Sequence, residues 1–172
     1  MTSLFVLGGA RSGKSRYAQA RIEALAEDLA RPLAYIATAQ AFDAEMTDRI
    51  ARHQDDRGAR WTTLEEPLDL AAAIDHAGVE AGAILVDCLT LWLSNLMLAE
   101  MPLDAPVAAL AEAIRHCPVP LVVVSNEVGL SIVPENALAR AFRDEAGRLN
   151  QTIAALTDEV QFIAAGLPLK LK

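Results

Sequence analysis

Positive charge is in short supply in this chain. Across 172 residues, 15 lysines and arginines face 23 aspartates and glutamates, for a formal net charge of −8. Nucleic-acid backbones are held by basic surfaces that displace counterions, so a nucleic-acid partner is not expected. A small phosphorylated ligand stays open, because a local cationic loop can work inside an acidic molecule. Cysteine is nearly absent too. Cys88 and Cys117 are the only two, both in apolar surroundings, without metal-ligand spacing or the makings of a disulfide framework. A reducing cytoplasm is the expected compartment. No apolar run reaches the length that spans a bilayer, and the first residues lack the basic start and apolar stretch of a secretory signal. Internal repeats, low-complexity tracts and linkers are also missing. With 53% hydrophobic and 22% charged residues, the composition is globular, enough for one full core and short for two. One domain over 1–172 is expected.

Against these absences stands one strong positive signal, Gly8-Gly9-Ala10-Arg11-Ser12-Gly13-Lys14-Ser15. It fits the phosphate-loop pattern of Gly, four residues and Gly-Lys-Ser/Thr. Leu4 to Leu7 reads as a short buried strand leading in, and a helical pattern leads out. That order gathers backbone N–H groups and a helix N-terminus around one small volume, which suits a phosphate. Lys14 is then expected to reach the β- and γ-phosphates and Ser15 to hold magnesium.

The rest of the chain alternates strand and helix. Arg16 to about Ala30 predicts a helix with Ala18, Ile22, Leu25 and Leu29 on its buried face, stopped by Arg31-Pro32. Leu33 to Thr38 predicts a strand ending in the polar tip Thr38-Ala39-Gln40. A helix over Asp43–Asp55 follows, its stripe made by Phe42, Met46, Ile50 and His53. Trp61 to Leu64 is β-like, and a helix is expected from Leu68 to His76. Ala83 to Val86 is an apolar run closed by Asp87, the form of a Walker B strand whose carboxylate supports magnesium. Leu89–Ala99, with Trp92 in the core, and Pro106–Arg115 predict two helices. Leu121 to Ser125 is the clearest strand, delivering Asn126 and Glu127 where open α/β sheets place ligands. Asn136–Leu156 predicts a long helix, Val160–Gly166 a strand, and Leu169–Lys172 an antiparallel edge strand after a turn at Leu167-Pro168. The fold class expected is α/β, a mostly parallel sheet with helices on both faces.

A phosphate loop names a ligand, not a reaction. Switch GTPases carry an Asn-Lys-x-Asp string for guanine, and this chain has none. His53 separates the remaining readings. On residue type alone it is either a hydrogen-bonded helix residue or a nucleophile. Arg49, Arg52 and Arg57 lie close by along the helix, lowering an imidazole's pKa and offering contacts to phosphate oxygens. His76 and His116 sit near predicted helix ends, where histidine commonly satisfies carbonyls. A bifunctional transferase, a plain metabolite kinase and a nucleotide-sensing module all remain compatible with these residues.

Several longer stretches carry a resemblance. They are Gly8–Arg16, Tyr35–Gln40, Asp43–His53, Asp87–Thr90, Ser125–Gly129, Ile132–Asn136 and Phe142–Gln151. Through them the chain resembles, over essentially its whole length, the bifunctional adenosylcobinamide kinase/adenosylcobinamide-phosphate guanylyltransferases of cobalamin biosynthesis. The resemblance implies a RecA-like phosphate-loop fold and two reactions at one site. ATP or GTP phosphorylates the aminopropanol hydroxyl of adenosylcobinamide. GTP then guanylylates a histidine, and GMP passes to the cobinamide phosphate, giving adenosylcobinamide-GDP. That histidine carries over to His53, with Arg52 where some relatives have a second histidine. Nucleotide contacts carry over to Gly8 through Ser15, Thr38, Ala39, Gln40, Gln54, Asp55, Asp56, Arg57, Glu65 and Asp87. Magnesium falls to Ser15 and Asp87. Assembly into a homo-oligomer is implied, with the helices around Leu89–Ala99 and Val107–Ile114 as expected contacts.

Overall fold

A strand buried on both faces must be apolar at every position, and the central strands of this chain are. In a computed structural model, which describes residues 2–39 and 58–172, they form one seven-stranded sheet. The strands are β1 (Ser3–Gly8), β2 (Leu33–Ala37), β3 (Trp61–Glu65), β4 (Ala83–Asp87), β5 (Leu121–Asn126), β6 (Glu159–Ala164) and β7 (Leu167–Lys170). Their order is β3-β2-β4-β5-β1-β6-β7. Every pairing is parallel except β6 with β7, which is antiparallel at the edge.

The period-2 geometry of a strand splits the core into two layers. Phe5, Leu7, Ile84, Val86, Leu121 and Val123 face a large cluster shared with α2 (Leu70–Glu80), α3 (Leu89–Leu98), α4 (Asp104–His116) and α5 (Ala137–Leu156). Leu4, Val6, Ala83, Leu85, Val122 and Val124 face a second cluster with Ala18 and Ile22 of α1 (Lys14–Leu25). Trp92 is buried in the first cluster, and its indole N–H donates to the Leu68 carbonyl at 2.8 Å. Helices α3 and α4 spend their apolar faces inside the chain: Leu89, Leu93, Leu96, Leu110 and Ile114 are all buried.

Boundaries shift where a local signal yields to a tertiary contact. Helix α1 stops at Leu25, short of Ala30, because Arg60 donates to the Ala26 and Leu29 carbonyls and holds an open turn there. Helix α2 runs past His76 to Glu80. Its internal glycine, Gly78, is a contact rather than a stop, since a Cβ there would lie 2.9 Å from the Pro118 ring. His76 is consequently an exposed mid-helix residue, 3.8 Å from Glu80. His116 does end its helix, and its Nδ1 donates to the Glu112 carbonyl at 3.0 Å. The last hairpin turns at Ala165 (φ 51°) and Gly166 (φ 80°), two left-handed residues that make a tight reversal. The edge strand therefore begins at Leu167, earlier than the Leu169 expected. The predicted helix over Asp43–Asp55 lies outside the described residues. No helix among the described residues is long and apolar enough to cross a membrane.

Candidate active site

The chain leaves β1 in one direction to build β2, β3 and β4, and later crosses β1 the other way through α5 to reach β6. The reversal falls between β1 and β5, and such switch points open a crevice at the carboxyl ends of the strands. A cavity of about 670 Å³ sits there. Four strand ends contribute to it: the loop after β1, residues 37 and 39 at the tip of β2, Asp87-Cys88 after β4, and Asn126 onward after β5.

Glycine is required twice in the first of these loops. A Cβ on Gly8 would lie 2.6 Å from the Ile163 carbonyl oxygen, so β1 and β6 approach too closely for any side chain. Gly13 has φ 95° and would bring a Cβ to 3.2 Å from Gly166 Cα. Between them Arg11 is also left-handed, φ 54°. Ser12 N–H donates to the Gly9 carbonyl at 3.3 Å, and Gly166 N–H donates to the Ser12 carbonyl at 2.8 Å. The loop is thus clipped to the turn between β6 and β7. Helix α1 starts at Lys14 with no side-chain cap and no acidic residue in its first turn, so its positive dipole end meets no competing carboxylate from that turn. Ala10, Arg11, Lys14 and Ser15 line the cavity, and buried Lys14 donates from Nζ to the Gly9 carbonyl at 3.0 Å.

The opposite wall is held by buried polar contacts. Asp87 lines the cavity, and its Oδ2 accepts from the Tyr35 hydroxyl at 3.3 Å. Thr38 is fully buried, and its hydroxyl both donates to the Cys88 carbonyl at 2.7 Å and accepts from the Cys88 N–H at 2.9 Å. Its side chain therefore fixes β2 against β4. Asn95 on α3 donates to the carbonyls of Thr38 at 2.8 Å and Pro67 at 3.0 Å. Thr90 Oγ1 accepts from the Asn126 N–H at 2.7 Å, and Glu127 N–H donates to the Gly8 carbonyl at 3.1 Å. The two strand tips that flank the crevice are thereby locked together. Burial first, and the Asp87 charge second, push the Cys88 thiol up to about 11, so this sulfur stays protonated and is no nucleophile near neutral pH.

Of the residues picked from sequence, Ala10, Arg11, Lys14, Ser15, Ala39 and Asp87 lie on the cavity wall, while Gly8, Gly9, Ser12 and Gly13 shape the turn beneath them. Thr38 supports the wall from behind. Glu65 ends β3 in register with Ala37 and is exposed, and from that strand it is Thr63 that lines the cavity. Gln40, His53, Gln54, Asp55, Asp56 and Arg57 lie outside the described residues. Asn126 and Glu127 both line the cavity. Tyr35, Thr63, Cys88, Leu91, Val128 and Leu130 line it too, and sequence reading missed them. Tyr35 and Thr63 are register neighbours, and an aromatic residue near the end of a buried strand was the available hint.

Comparison with known proteins agrees with this geometry. A KaiC-like protein of Pyrococcus horikoshii superimposes with a TM-score of 0.53 at 13% identity, covering 94% of this chain and 70% of its own. That likeness shows the fold, a mostly parallel sheet flanked by helices. A bifunctional adenosylcobalamin biosynthesis protein of Pseudomonas aeruginosa is 50% identical over 169 residues, 97% of this chain and 95% of its own. Its namesakes in Salmonella typhimurium and Escherichia coli are 44% and 40% identical, each covering 98% of this chain and 99% of their own. The family model described as cobinamide kinase / cobinamide phosphate guanyltransferase matches residues 4–171. With a match over nearly every residue and relatives at this level of identity, the chain belongs to the cobinamide kinase / cobinamide phosphate guanyltransferase family.

Proposed function

We propose that this chain carries out both of its family's reactions in the cavity between β1 and β5, with His53 as the residue that holds the guanylyl group. In the first reaction the aminopropanol hydroxyl of adenosylcobinamide attacks the γ-phosphorus of ATP or GTP. The bond to the bridging oxygen breaks, and the nucleoside diphosphate leaves. In the second, an imidazole nitrogen of His53 attacks the α-phosphorus of GTP and pyrophosphate leaves. A phosphate oxygen of the cobinamide phosphate then displaces the imidazole, giving adenosylcobinamide-GDP. Splitting one displacement into two lets a single pocket serve donor and acceptor in turn.

The observation that carries this reading is the two-walled cavity. The phosphate loop forms one wall, and Asp87, Asn126 and Glu127 stand across it. Arg11, Lys14 and the head of α1 supply positive charge for the triphosphate, and in phosphoryl transfer such positioning accounts for most of the catalysis. Glu127 is suited to accept the hydroxyl proton of the acceptor. One of its oxygens takes the Gly129 N–H, and the other has no hydrogen bond among the described residues. The donors on the wall fit magnesium. Ser15 and Asp87 offer hard oxygens on that wall, the ligand type magnesium takes. A bound magnesium would keep several waters and neutralise charge on the phosphates.

The test is covalent labelling. Incubated with magnesium and α-labelled GTP and then denatured, the protein should retain label that is acid-labile and base-stable. His53→Asn should abolish it. Label that persists in that variant would remove the histidine assignment. Absence of label together with cobinamide phosphorylation would reduce the chain to a kinase.

A further inference from the structure

The loop that follows Glu127 exposes apolar side chains that folding alone does not require. Leu130 is 83% exposed, Ile132 94% and Val133 59%, and Leu138 in the first turn of α5 is 57% exposed. Nevertheless the segment is fastened at both ends. Val128 packs on the main core, and the Glu127 carboxylate accepts from the Gly129 N–H. At the other end Arg140 donates to the carbonyls of Pro134 and Glu135, and Asn136 accepts from the Ala139 N–H at 3.1 Å to cap α5. A pinned loop cannot swing its leucine and isoleucine into the core. Exposed apolar patches on an otherwise polar surface commonly mark a binding face.

Two further facts identify the occupant. The patch is continuous with the active cavity, whose wall includes Leu130 and Ser131. From Val128 to Pro134 the sequence carries no charge, in a protein of net charge −8. An uncharged apolar ledge beside a phosphate site suits a bulky acceptor whose body is apolar and amide-bearing and whose single reactive arm must enter the cavity. A corrin macrocycle has that form. We infer that residues 130–138 form the docking lip for the corrin ring, which rests against Leu130, Ile132 and Val133 while its aminopropanol arm points toward Glu127. This assignment rests on the function proposed above for the same cavity.

The decisive variant is the double substitution Ile132→Ser and Val133→Ser, since both side chains lie outside the nucleotide wall. Three quantities are measured: covalent label from α-labelled GTP, KM and kcat for cobinamide, and solution mass by light scattering. Equilibrium dialysis of cobinamide in the presence of GDP adds a readout independent of chemistry. Labelling and mass should match the wild type, while KM and the dialysis constant rise about tenfold or more and kcat stays within about twofold, the effect of removing two apolar contacts. Ile132→Leu with Val133→Leu should restore the wild-type KM. An unchanged dialysis constant overturns the lip. So does a change in mass that tracks the loss of corrinoid binding, which would make the patch a subunit contact. If the wild type takes no label, the histidine mechanism fails, and the dialysis comparison still decides the lip.

Discussion

Gly8 shows how one atom can decide the site. An added Cβ would meet the Ile163 carbonyl oxygen at 2.6 Å, and a backbone atom cannot step aside as a side chain would. Gly8→Ala should therefore push the phosphate loop off the end of β6. GTP affinity measured by calorimetry should fall by roughly tenfold to a hundredfold, the scale of losing one hydrogen bond to a charged group. A second residue-scale case lies at the other end of the same strands. Arg21 makes a bidentate bond to Glu159, at 2.9 and 3.0 Å. That bond, followed by one from Gln161, holds the Glu159 carboxyl down to about 2, against 4.5 ordinarily. A carboxylate depressed in the folded state adds stability that is complete above its unfolded pKa and fades as pH falls toward the folded value. The window here is pH 4.5 down to 2. With the pair partly open to solvent, the contribution is about 1 kcal/mol. In Glu159→Gln, urea denaturation at pH 7 should show that loss, and the difference from wild type should vanish near pH 2.

At the scale of elements, the sequence was most legible where one physical demand acts alone. The central strands are apolar on both faces because helices cover both, and they were identified nearly residue for residue. The phosphate loop was legible because its residue pattern is specific, although what demands Gly8 and Gly13 is contact with Ile163 and Gly166 far along the chain. Less legible were features set by contact at a distance. The helix expected to end at His76 runs on through Gly78, which packs on Pro118, and Tyr35 and Thr63 become cavity residues only because β2 and β3 pair in that register. Asn95 is a further example, an amide in an apolar helix that ties the Thr38 and Pro67 carbonyls. Asn95→Leu removes both bonds and leaves two carbonyls without a donor in a buried setting. It should lower stability by about 2–3 kcal/mol in denaturant titration. The turn between β6 and β7 acts on the loop from outside. Gly166→Ala forces a side chain onto φ 80° at a strain of about 1 kcal/mol. GTP binding should weaken more than this loss of stability alone would produce, because Gly166 N–H holds the Ser12 carbonyl. If affinity stays at the wild-type level while the melting point drops, the hairpin supports only the fold.

For the whole molecule, the arrangement explains how an acidic protein can hold a triphosphate. Arg11, Lys14 and the end of α1 place positive charge together at one crevice. The negative remainder still opposes the ligand over long range. Nucleotide affinity should therefore rise moderately, rather than fall, as salt screens that repulsion, unlike the steep loss shown by nucleic-acid binders. Calorimetric titration of GDP across a salt series checks the sign. The same concentration of function has a consequence for how the chain comes into being. The first strand carries the phosphate loop, and it lies between β5, formed from residues 121–126, and β6, formed from residues 159–164. A ribosome therefore releases the nucleotide motif long before either neighbour that shapes it exists. A nascent chain ending at Ser131 holds every residue of the motif and neither the Ile163 contact nor the Gly166 clip. Such a chain should leave GTP unbound, so that nucleotide capture reports that synthesis has passed β6 and the turn after it.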